Sequence, residues 1–237
     1  DMRLDRYLAE AGLGTRSEVK KMIAAGRLLV NGREVRDPGT RIEEAADEVR
    51  LDGEPVRYAA FEYYMLNKPA GVISATKDTR DRSKTCVTDL ITDRIRDDLF
   101  PVGRLDRDTE GLLLITNDGD LAHRLLSPKK HVGKTYYAEL DGVLTGEMSE
   151  RLMAGVDIGD DRPTLPCVIE RLTDTSCRVT IREGRYHQIK RMFGTAGLTV
   201  TYLKRLTMGP LQLDPALAPG GYRHLTKEER VLLRVAA

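Results

Sequence analysis

The sequence is poor in the residues on which several classes of protein depend. It contains no tryptophan, and its three cysteines, Cys86, Cys167 and Cys177, lie far apart and form no C-x-x-C pair. An odd number of isolated cysteines indicates neither a disulfide framework nor a zinc site. The longest strongly apolar run, Gly111–Ile115, is far shorter than the roughly 20 residues of a membrane-spanning helix. We therefore expect a cytoplasmic protein without a membrane partner.

The motifs of most cofactor-dependent enzymes are absent as well. The four histidines have neither H-E-x-x-H nor H-x-H spacing, which argues against a metal centre. The chain has no G-x-x-x-x-G-K-[ST] motif, no G-x-G-x-x-G motif at a strand–helix junction and no G-x-S-x-G elbow. The sequence therefore predicts no metal site and no cofactor.

Charge is nearly balanced over the whole chain but not along it. The formal net charge is +1. Between Arg182 and Arg205 there are six basic residues against one acidic residue, and between Asp1 and Arg36 eight against five. Patches of this kind contact phosphates, but they are equally typical of solvated surfaces. Charge alone leaves both interpretations open.

The first 58 residues have the pattern of a small module with two helices and short strands. Apolar residues from Leu4 to Ala11 recur at helical spacing, and Thr15 or Ser17 can cap a second helix. Asn31-Gly32 separates the short segments Leu28–Val30 and Arg33–Val35, which is typical of a tight hairpin with positive φ in its turn.

The remainder, residues 59–237, alternates strands with a few helices. A strand begins at Tyr63 and is expected to resume at Val72–Ile73 after a break, and Ser74–Asp98 has the composition of a long loop with a short helix. The other expected elements are the loop Phe100–Asp106, the strand Leu112–Thr116, a helix carrying Leu121, Leu125 and Leu126, the strands Lys134–Leu140 and Cys177–Ile181, a helix starting near Gly184 and capped by Gly197, and a strand through Val200 and Tyr202. This pattern predicts an α+β fold with a mixed, mainly antiparallel sheet.

One loop concentrates the residues that could carry chemistry. Gly103–Gly111 holds three carboxylates, Asp106, Asp108 and Glu110, directly before a strongly apolar strand. Packing against such a strand can hold a carboxylate rigidly for catalysis. The alternatives are a surface loop with local ion pairs or, less favoured because no sugar-binding features flank the loop, a glycosidase that uses Asp106 and Asp108.

Several segments, in order, resemble the RsuA-like ribosomal RNA pseudouridine synthase family. The segments are Asn67–Val72, Gly103–Gly119, Leu126–Lys130 with Lys134–Tyr136, and Glu183–Met192, and residues 2–58 resemble the S4-type RNA-binding module that this family carries at its N-terminus. The resemblance covers nearly the whole chain. It implies an S4-like RNA-binding domain at 1–58 and a pseudouridine synthase catalytic domain at 59–237.

The resemblance also implies roles for three residues in catalysis. Asp106 corresponds to the family's catalytic aspartate, which we expect to be buried, and Tyr136 to the tyrosine that stacks on the base. Lys190 corresponds to a basic residue that pairs with the aspartate, although many relatives in the wider superfamily have arginine there. Because Tyr136 and Tyr137 alternate on one strand, only one of them can face the pocket.

Seven further residues are expected to contact RNA. The resemblance implies that Arg104 fills the gap left by an extruded base and that Ile189 forms an apolar wall. The other expected RNA contacts are Arg185 and His187, and Arg3, Arg16 and Lys20 in the N-terminal module. We expect a monomer that acts on 16S rRNA or on a small-subunit assembly intermediate; the alternatives are 23S rRNA as substrate, or a non-catalytic RNA-binding assembly factor.

Overall fold

A computed structural model describes residues 1–77, 80–81 and 83–236, which divide into two units. The N-terminal unit comprises Asp1–Glu62 and Thr92–Leu99, and the C-terminal unit comprises Tyr63–Ile91 and Phe100–Ala237. The division into folding domains at 58/59 stays a prediction. Part of the expected loop after Ser74, at positions 78, 79 and 82, lies outside the described residues.

The N-terminal unit packs two helices against short strands. In chain order its elements are β1 (Met2–Arg3), α1 (Leu4–Glu10), α2 (Arg16–Ala24), β2 (Leu28–Val30), β3 (Arg33–Val35), β4 (Arg41–Ile42), β5 (Val49–Leu51) and β6 (Glu54–Pro55). Thr15 begins α2 with a capping box, because its hydroxyl accepts from Glu18 N and the Glu18 carboxylate accepts from Thr15 N. Asn31 and Gly32 both have positive φ, as the hairpin prediction required.

The segment Thr92–Leu99 belongs to this unit through buried polar contacts. The Glu62 carboxylate accepts from the backbone N–H groups of Ile95 and Arg96 at 3.1 and 2.8 Å. The Arg96 guanidinium in turn contacts Glu10 of α1 at 3.3 Å and Asp98 at 2.6 Å. These bonds join a distant segment to the first helix, which no local pattern in the sequence indicates.

A single sheet dominates the C-terminal unit. Its strands are β7 (Tyr63–Lys68), β8 (Phe100–Pro101), β9 (Glu110–Thr116), β10 (Lys134–Leu140), β11 (Val168–Thr173), β12 (Ser176–Ile181), β13 (Val200–Met208), β14 (Leu211–Gln212) and β15 (Tyr222–His224). The order is β11-β12-β10-β13-β9-β7-β15, with β14 on β13 and β8 on β9. The β13–β9 pair is parallel and the other pairs are antiparallel, so the mixed, mainly antiparallel sheet is confirmed.

The helices of this unit are α3 (Gly119–Leu126), α4 (Gly146–Met153), α5 (Gln188–Gly194) and α6 (Lys227–Ala236). The expected short helix after Ser74 is the 3-10 turn Val87–Leu90. None of the described helices is long and apolar enough to span a membrane.

Three local predictions were wrong. The strand does not resume at Val72–Ile73, because Gly71, at φ +90°, turns the chain and Ile73 makes only one bridge, to Cys86. The expected loop at Phe100 begins instead with β8. The helix expected near Gly184 starts at Gln188, because His187 has a left-handed backbone, φ +46°, that a helix cannot continue through.

The parallel contact between β9 and β13 depends on one glycine. Gly111 lies opposite Arg205 and has φ +108°. A Cβ at this position would stand 2.2 Å from the Arg205 carbonyl oxygen, so only glycine allows the two strands to approach this closely. The approach fixes the end of the Gly103–Gly111 loop beside β13.

Candidate active site

The loop that carries Asp106 is held by a buried lysine. Lys68, at the end of β7, donates its ammonium protons to the carbonyl oxygens of Pro69, Arg107 and Thr109 at 3.0, 3.1 and 2.8 Å. Burial lowers the pKa of Lys68 to about 8, and the nearby carboxylates, including Asp106, oppose that shift. The lysine therefore fixes the backbone immediately after Asp106.

A serine fixes the backbone on the other side of the aspartate. The Ser74 hydroxyl donates to Leu105 O at 2.9 Å and accepts from Leu105 N at 3.0 Å, and both groups are buried. Asp106 O also accepts from Thr109 N at 3.0 Å, which closes a turn. The Asp106 side chain is consequently presented on a rigid backbone, as a reactive group requires.

Two side chains of the α5 region contact the Asp106 carboxylate. His187 Nε2 lies 3.3 Å from Oδ1, and Lys190 Nζ lies 3.1 Å from Oδ2. The expected pairing of Lys190 with Asp106 is therefore present. The expected burial is wrong, because the Asp106 side chain is 30% exposed and opens into a cavity. Solvent shares the stabilisation of its charge with the cation.

Lys190 bridges two carboxylates rather than one. Its Nζ also donates to Asp108 Oδ1 at 2.8 Å, although the Asp108 side chain is 75% exposed. Burial opposes the charge on Lys190, but the hydrogen bonds and charges of the two aspartates outweigh it and raise the lysine pKa. The same hydrogen bond lowers the pKa of Asp108. Lys190 is thus held as a cation beside Asp106.

The position of Lys190 follows from how α5 is anchored. Ile189, Met192 and Phe193 are buried on one face of this short helix. Arg191 donates to the carbonyl oxygen of Tyr186 and pairs with Asp160 at 2.9 Å, which fixes the turn before the helix. The helix therefore presents His187 and Lys190 toward the aspartate from a packed base.

Strand parity assigns the two tyrosines to opposite faces of β10. Tyr136 is buried and lines the cavity, whereas the Tyr137 hydroxyl donates to Glu139 at 2.8 Å on the other face. The prediction that only one of them faces the pocket is confirmed, and the one is Tyr136.

The cavity that these side chains line has a volume of about 660 Å³. It brings together Arg104, Asp106, Tyr136, Arg185, His187, Ile189 and Lys190 from the sequence prediction. Their roles in catalysis and RNA binding stay predictions. Arg104 is exposed on the rim, and Ile189 is a buried wall residue. Arg185 is largely engaged within the protein, because it contacts Glu183 and donates to the carbonyl oxygens at 162 and 163.

The three basic residues predicted in the N-terminal unit meet at one buried carboxylate. Arg3 contacts Asp5 at 3.0 Å, Arg16 at 3.6 Å and Lys20 at 4.0 Å. Asp5 is only 1% exposed and also accepts from Arg6 N at 2.8 Å. The hydrogen bonds from Arg3 lower the pKa of Asp5 although burial alone would raise it. Asp5 therefore organises a cluster that is positively charged toward solvent.

Sequence reasoning missed Lys68, Asp5, Lys134 and Arg205. Lys134 could have been found, because it lies two residues before Tyr136 and shares its strand face. Arg205 could not, since its place in the cavity follows from the pairing of β10 with β13.

Within the described residues, no group of three or more metal-ligating side chains could hold a metal ion.

Comparison with known families gives two matches along the chain. Residues 62–195 match the model of the RNA pseudouridylate synthase family, and residues 2–49 match that of the S4 domain.

Individual relatives extend the match to nearly the full length. An uncharacterized RNA pseudouridine synthase of Bacillus subtilis, YtzG, is 49% identical over 98% of this chain and 98% of its own. The ribosomal small subunit pseudouridine synthases A of Pseudomonas aeruginosa and Escherichia coli K12 are 41% and 38% identical, each over 96% of this chain and 98% of their own. A crystal structure of a pseudouridylate synthase superposes with a TM-score of 0.69 at 36% identity, over 98% of this chain and 100% of that one.

Proposed function

Since the chain belongs to the RNA pseudouridylate synthase family, we propose that it isomerises a specific uridine of 16S rRNA to pseudouridine, with Asp106 as the catalytic carboxylate. The activity class follows from the family, the catalytic residues are inferred from the site, and the rRNA is inferred from named relatives. The observation that supports Asp106 best is its geometry: a fixed backbone, a cation at 3.1 Å and a side chain open to a cavity of about 660 Å³.

The chemistry requires a carboxylate that is ionised yet accessible. The reaction breaks the bond between uracil N1 and ribose C1′ and makes a bond between C5 and C1′. A carboxylate can act at an electron-poor sugar or base carbon, or remove a sugar proton, without a cofactor. Lys190 places a positive charge 3.1 Å from one oxygen of Asp106, while the open side of the carboxylate leaves room for the ribose.

The target base needs a surface on which to turn. Its carbon atoms are hidden within a stacked RNA, so the nucleotide has to be extruded into the cavity. In this proposal Tyr136 stacks on the extruded base, Ile189 packs against its edge, and Arg104 on the rim fills the gap left in the RNA. Stacking on an aromatic ring is a common mode of recognition for an unpaired base.

The N-terminal unit adds affinity through the cluster around Asp5. Arg3, Arg16 and Lys20 converge on one carboxylate, so their positions are fixed before RNA arrives, while each stays about half exposed. Preorganised cations suit phosphate binding. The match of residues 2–49 to the S4 domain supports RNA as their ligand.

The small-subunit substrate is supported by the named relatives. The Pseudomonas and Escherichia enzymes are named for the ribosomal small subunit, and each aligns over nearly the full length of both chains. We propose 16S rRNA on that basis, as free RNA or within a small-subunit assembly intermediate.

Mapping of pseudouridine tests this proposal. The wild-type protein, Asp106→Asn and the control Asp120→Asn, an exposed carboxylate of α3, are incubated with unmodified 16S rRNA, 23S rRNA and small-subunit assembly intermediates. Products are read as reverse-transcription stops after carbodiimide treatment. We expect one new stop in 16S rRNA with the wild type and the control, and none with Asp106→Asn.

The other outcomes separate the alternatives. A stop only in 23S rRNA would retain the activity and overturn the substrate. No stop in any RNA, with RNA binding retained, would favour a non-catalytic assembly factor. A stop that survives Asp106→Asn would show that another group carries the reaction.

A further inference from the structure

Two cations share the face of the sheet on which Tyr136 lies. Lys134 precedes Tyr136 by two residues in β10, and Arg205 of β13 is the residue that pairs with Tyr136 across the two strands. Side chains at these positions point to the same face of the sheet. A residue two positions along a strand lies roughly 7 Å from Tyr136, and a residue paired across the strands lies roughly 5 Å from it. Both residues line the cavity that also contains Asp106.

Arg205 is buried with part of its guanidinium unsatisfied. The residue is 2% exposed, and its Nε donates to Leu112 O at 2.8 Å. Its Nη2 has no hydrogen-bond acceptor among the described residues. A buried, unpaired donor on a charged group is costly, and such groups in folded proteins call for an explanation. One explanation is that a ligand bound in the cavity supplies the missing hydrogen-bond acceptor.

Lys134, the second cation on this face, is half-buried. Burial lowers its pKa, and the positive charge of Arg205 lowers it further. Lys134 forms no ion pair with a carboxylate in the part of the chain that the structure describes. Two neighbouring cations without a counter-charge repel each other, so an anion placed between them would stabilise both.

We propose that Lys134 and Arg205 form a site for the negative charge that uracil carries while it is detached from the ribose. The inference rests on the proposed function, because it assigns these residues to an intermediate of that reaction. A base stacked on Tyr136 has its ring edge beside the two neighbours of Tyr136 on this face, one along the strand and one across it.

The charge follows from the balance of the reaction. When the N1–C1′ bond breaks, both electrons remain on the base, which then holds one negative charge spread over N1, O2 and O4. Asp106 loses its own charge in the same step, either by bonding to C1′ or by taking the C2′ proton. When C5 bonds to C1′, the carboxylate is regenerated, by leaving C1′ or by returning the proton to C2′, and the C5 proton moves to N1.

The charge therefore moves between two cationic sites in one cavity. Before bond breaking it lies on Asp106 beside Lys190, and afterwards it lies on the base beside Lys134 and Arg205. Interactions that strengthen only as charge develops accelerate the reaction, whereas a contact to an RNA phosphate is present throughout and contributes to binding alone. This difference makes the proposal testable by kinetics.

Single-turnover measurements on Lys134→Met test it. Methionine keeps a long unbranched side chain and removes the charge. On whichever rRNA the wild type modifies, we expect the rate constant at saturating enzyme to fall roughly 100-fold, as when one charge-stabilising donor is removed, with the RNA Kd changed less than about threefold. Lys134→Arg, which keeps the charge, should recover most of the lost rate.

A control on the same sheet guards against a general charge effect. Lys204 lies next to Arg205 in β13 and points to the opposite face. Lys204→Met should keep the wild-type rate. A weaker Kd with an unchanged rate in Lys134→Met would identify a phosphate contact and overturn the proposal. Equal losses in Lys134→Met and Lys134→Arg, or in Lys204→Met, would also overturn it. Modification of 23S rather than 16S rRNA would change the substrate and leave this test intact.

Discussion

Each unit of the molecule gathers basic side chains around one aspartate, but the two clusters differ in burial. In the N-terminal unit, Asp5 is 1% exposed and has Arg3, Arg16 and Lys20 around it. In the C-terminal unit, Asp106 is 30% exposed, with His187 on one oxygen and Lys190 on the other.

Burial separates an organising carboxylate from a reactive one. The oxygens of Asp5 are occupied by Arg3 and by the N–H of Arg6, so no further ligand can reach them. Its function is to hold cations in place. The oxygens of Asp106 contact His187 and Lys190 but keep a side open to the cavity, and Lys68 and Ser74 fix the backbone around it. A sequence alone shows two aspartates near basic residues and cannot distinguish these two uses.

The largest effect that tests this contrast is expected from Asp106→Asn. The rate of pseudouridine formation should fall by more than about 1000-fold, because the amide can neither act as a nucleophile nor accept a proton. The free energy of unfolding should change by less than about 1 kcal/mol, since Lys190 retains Asp108 as a partner. Single-turnover assays and urea unfolding measure the two quantities. A rate within tenfold of the wild type would contradict the assignment.

Asp5→Asn should have the opposite profile. We expect the free energy of unfolding of the N-terminal unit to fall by about 2 kcal/mol, because a buried charge-assisted hydrogen-bond pair is lost. The rate at saturating enzyme should stay within about twofold. Asp52→Asn, which removes an exposed carboxylate paired with Arg27 in the same unit, is the matched control and should cost less than about 1 kcal/mol. A lower rate with unchanged stability would contradict the inference that Asp5 acts only as an organising carboxylate.

The effect of Asp5 on stability should also depend on pH in one direction. Its folded pKa lies below the ordinary value of about 3.9, so the unfolded chain takes up the proton first as the pH falls. The difference between wild type and Asp5→Asn should be constant from pH 7 to about pH 4 and shrink below that. A difference that changes between pH 5 and 8 would show that another group dominates.

Smaller effects are expected from the cations around Asp5. Arg16→Gln and Lys20→Gln each remove a half-exposed charge that is proposed to contact a phosphate. RNA affinity should fall roughly fivefold, and the slope of log Kd against log salt should decrease by about 0.7 to 0.9 per lost contact. Binding titrations at several salt concentrations measure both. Arg33→Gln, in the exposed hairpin strand β3, is the control.

The smallest effect is expected from Asp108→Asn. Asp108 shares Lys190 with Asp106 but is 75% exposed, so its ion pair contributes little. The single-turnover rate should stay within about threefold of the wild type. If Asp108→Asn lowers the rate as much as Asp106→Asn does, the assignment of Asp106 as the one reactive carboxylate of this loop is wrong.

Much of the fold was predictable because local patterns determine it. Alternation along β10 put Tyr136 and Tyr137 on opposite faces, and Asn31-Gly32 required the positive φ that a hairpin turn has. Two of the errors occurred where one residue turned the backbone unexpectedly. Gly71 redirected the strand after β7, and the left-handed His187 delayed the start of α5.

The site was predictable only in part, because its contacts join distant segments. Resemblance to a family brought Asp106 and Lys190 together, although no spacing in the sequence links them. Arg205 required the pairing of two strands, with a register shift near Tyr136, to be placed in the cavity. Asp5 gives no signal in the sequence, since an aspartate in the first turn of a helix is normally solvated.

The order in which the strands of the large sheet are synthesised has a consequence for the nascent chain. All six residues of β7 are buried, and one edge of this strand pairs with β15, near the other end of the chain. At ribosomal rates of about 5–20 residues per second, roughly 10 to 30 seconds pass between synthesis of the two strands. During that interval a largely apolar strand has an unpaired edge, a known template for aggregation. The speed of translation, more than the stability of the finished fold, then determines how long this strand needs protection.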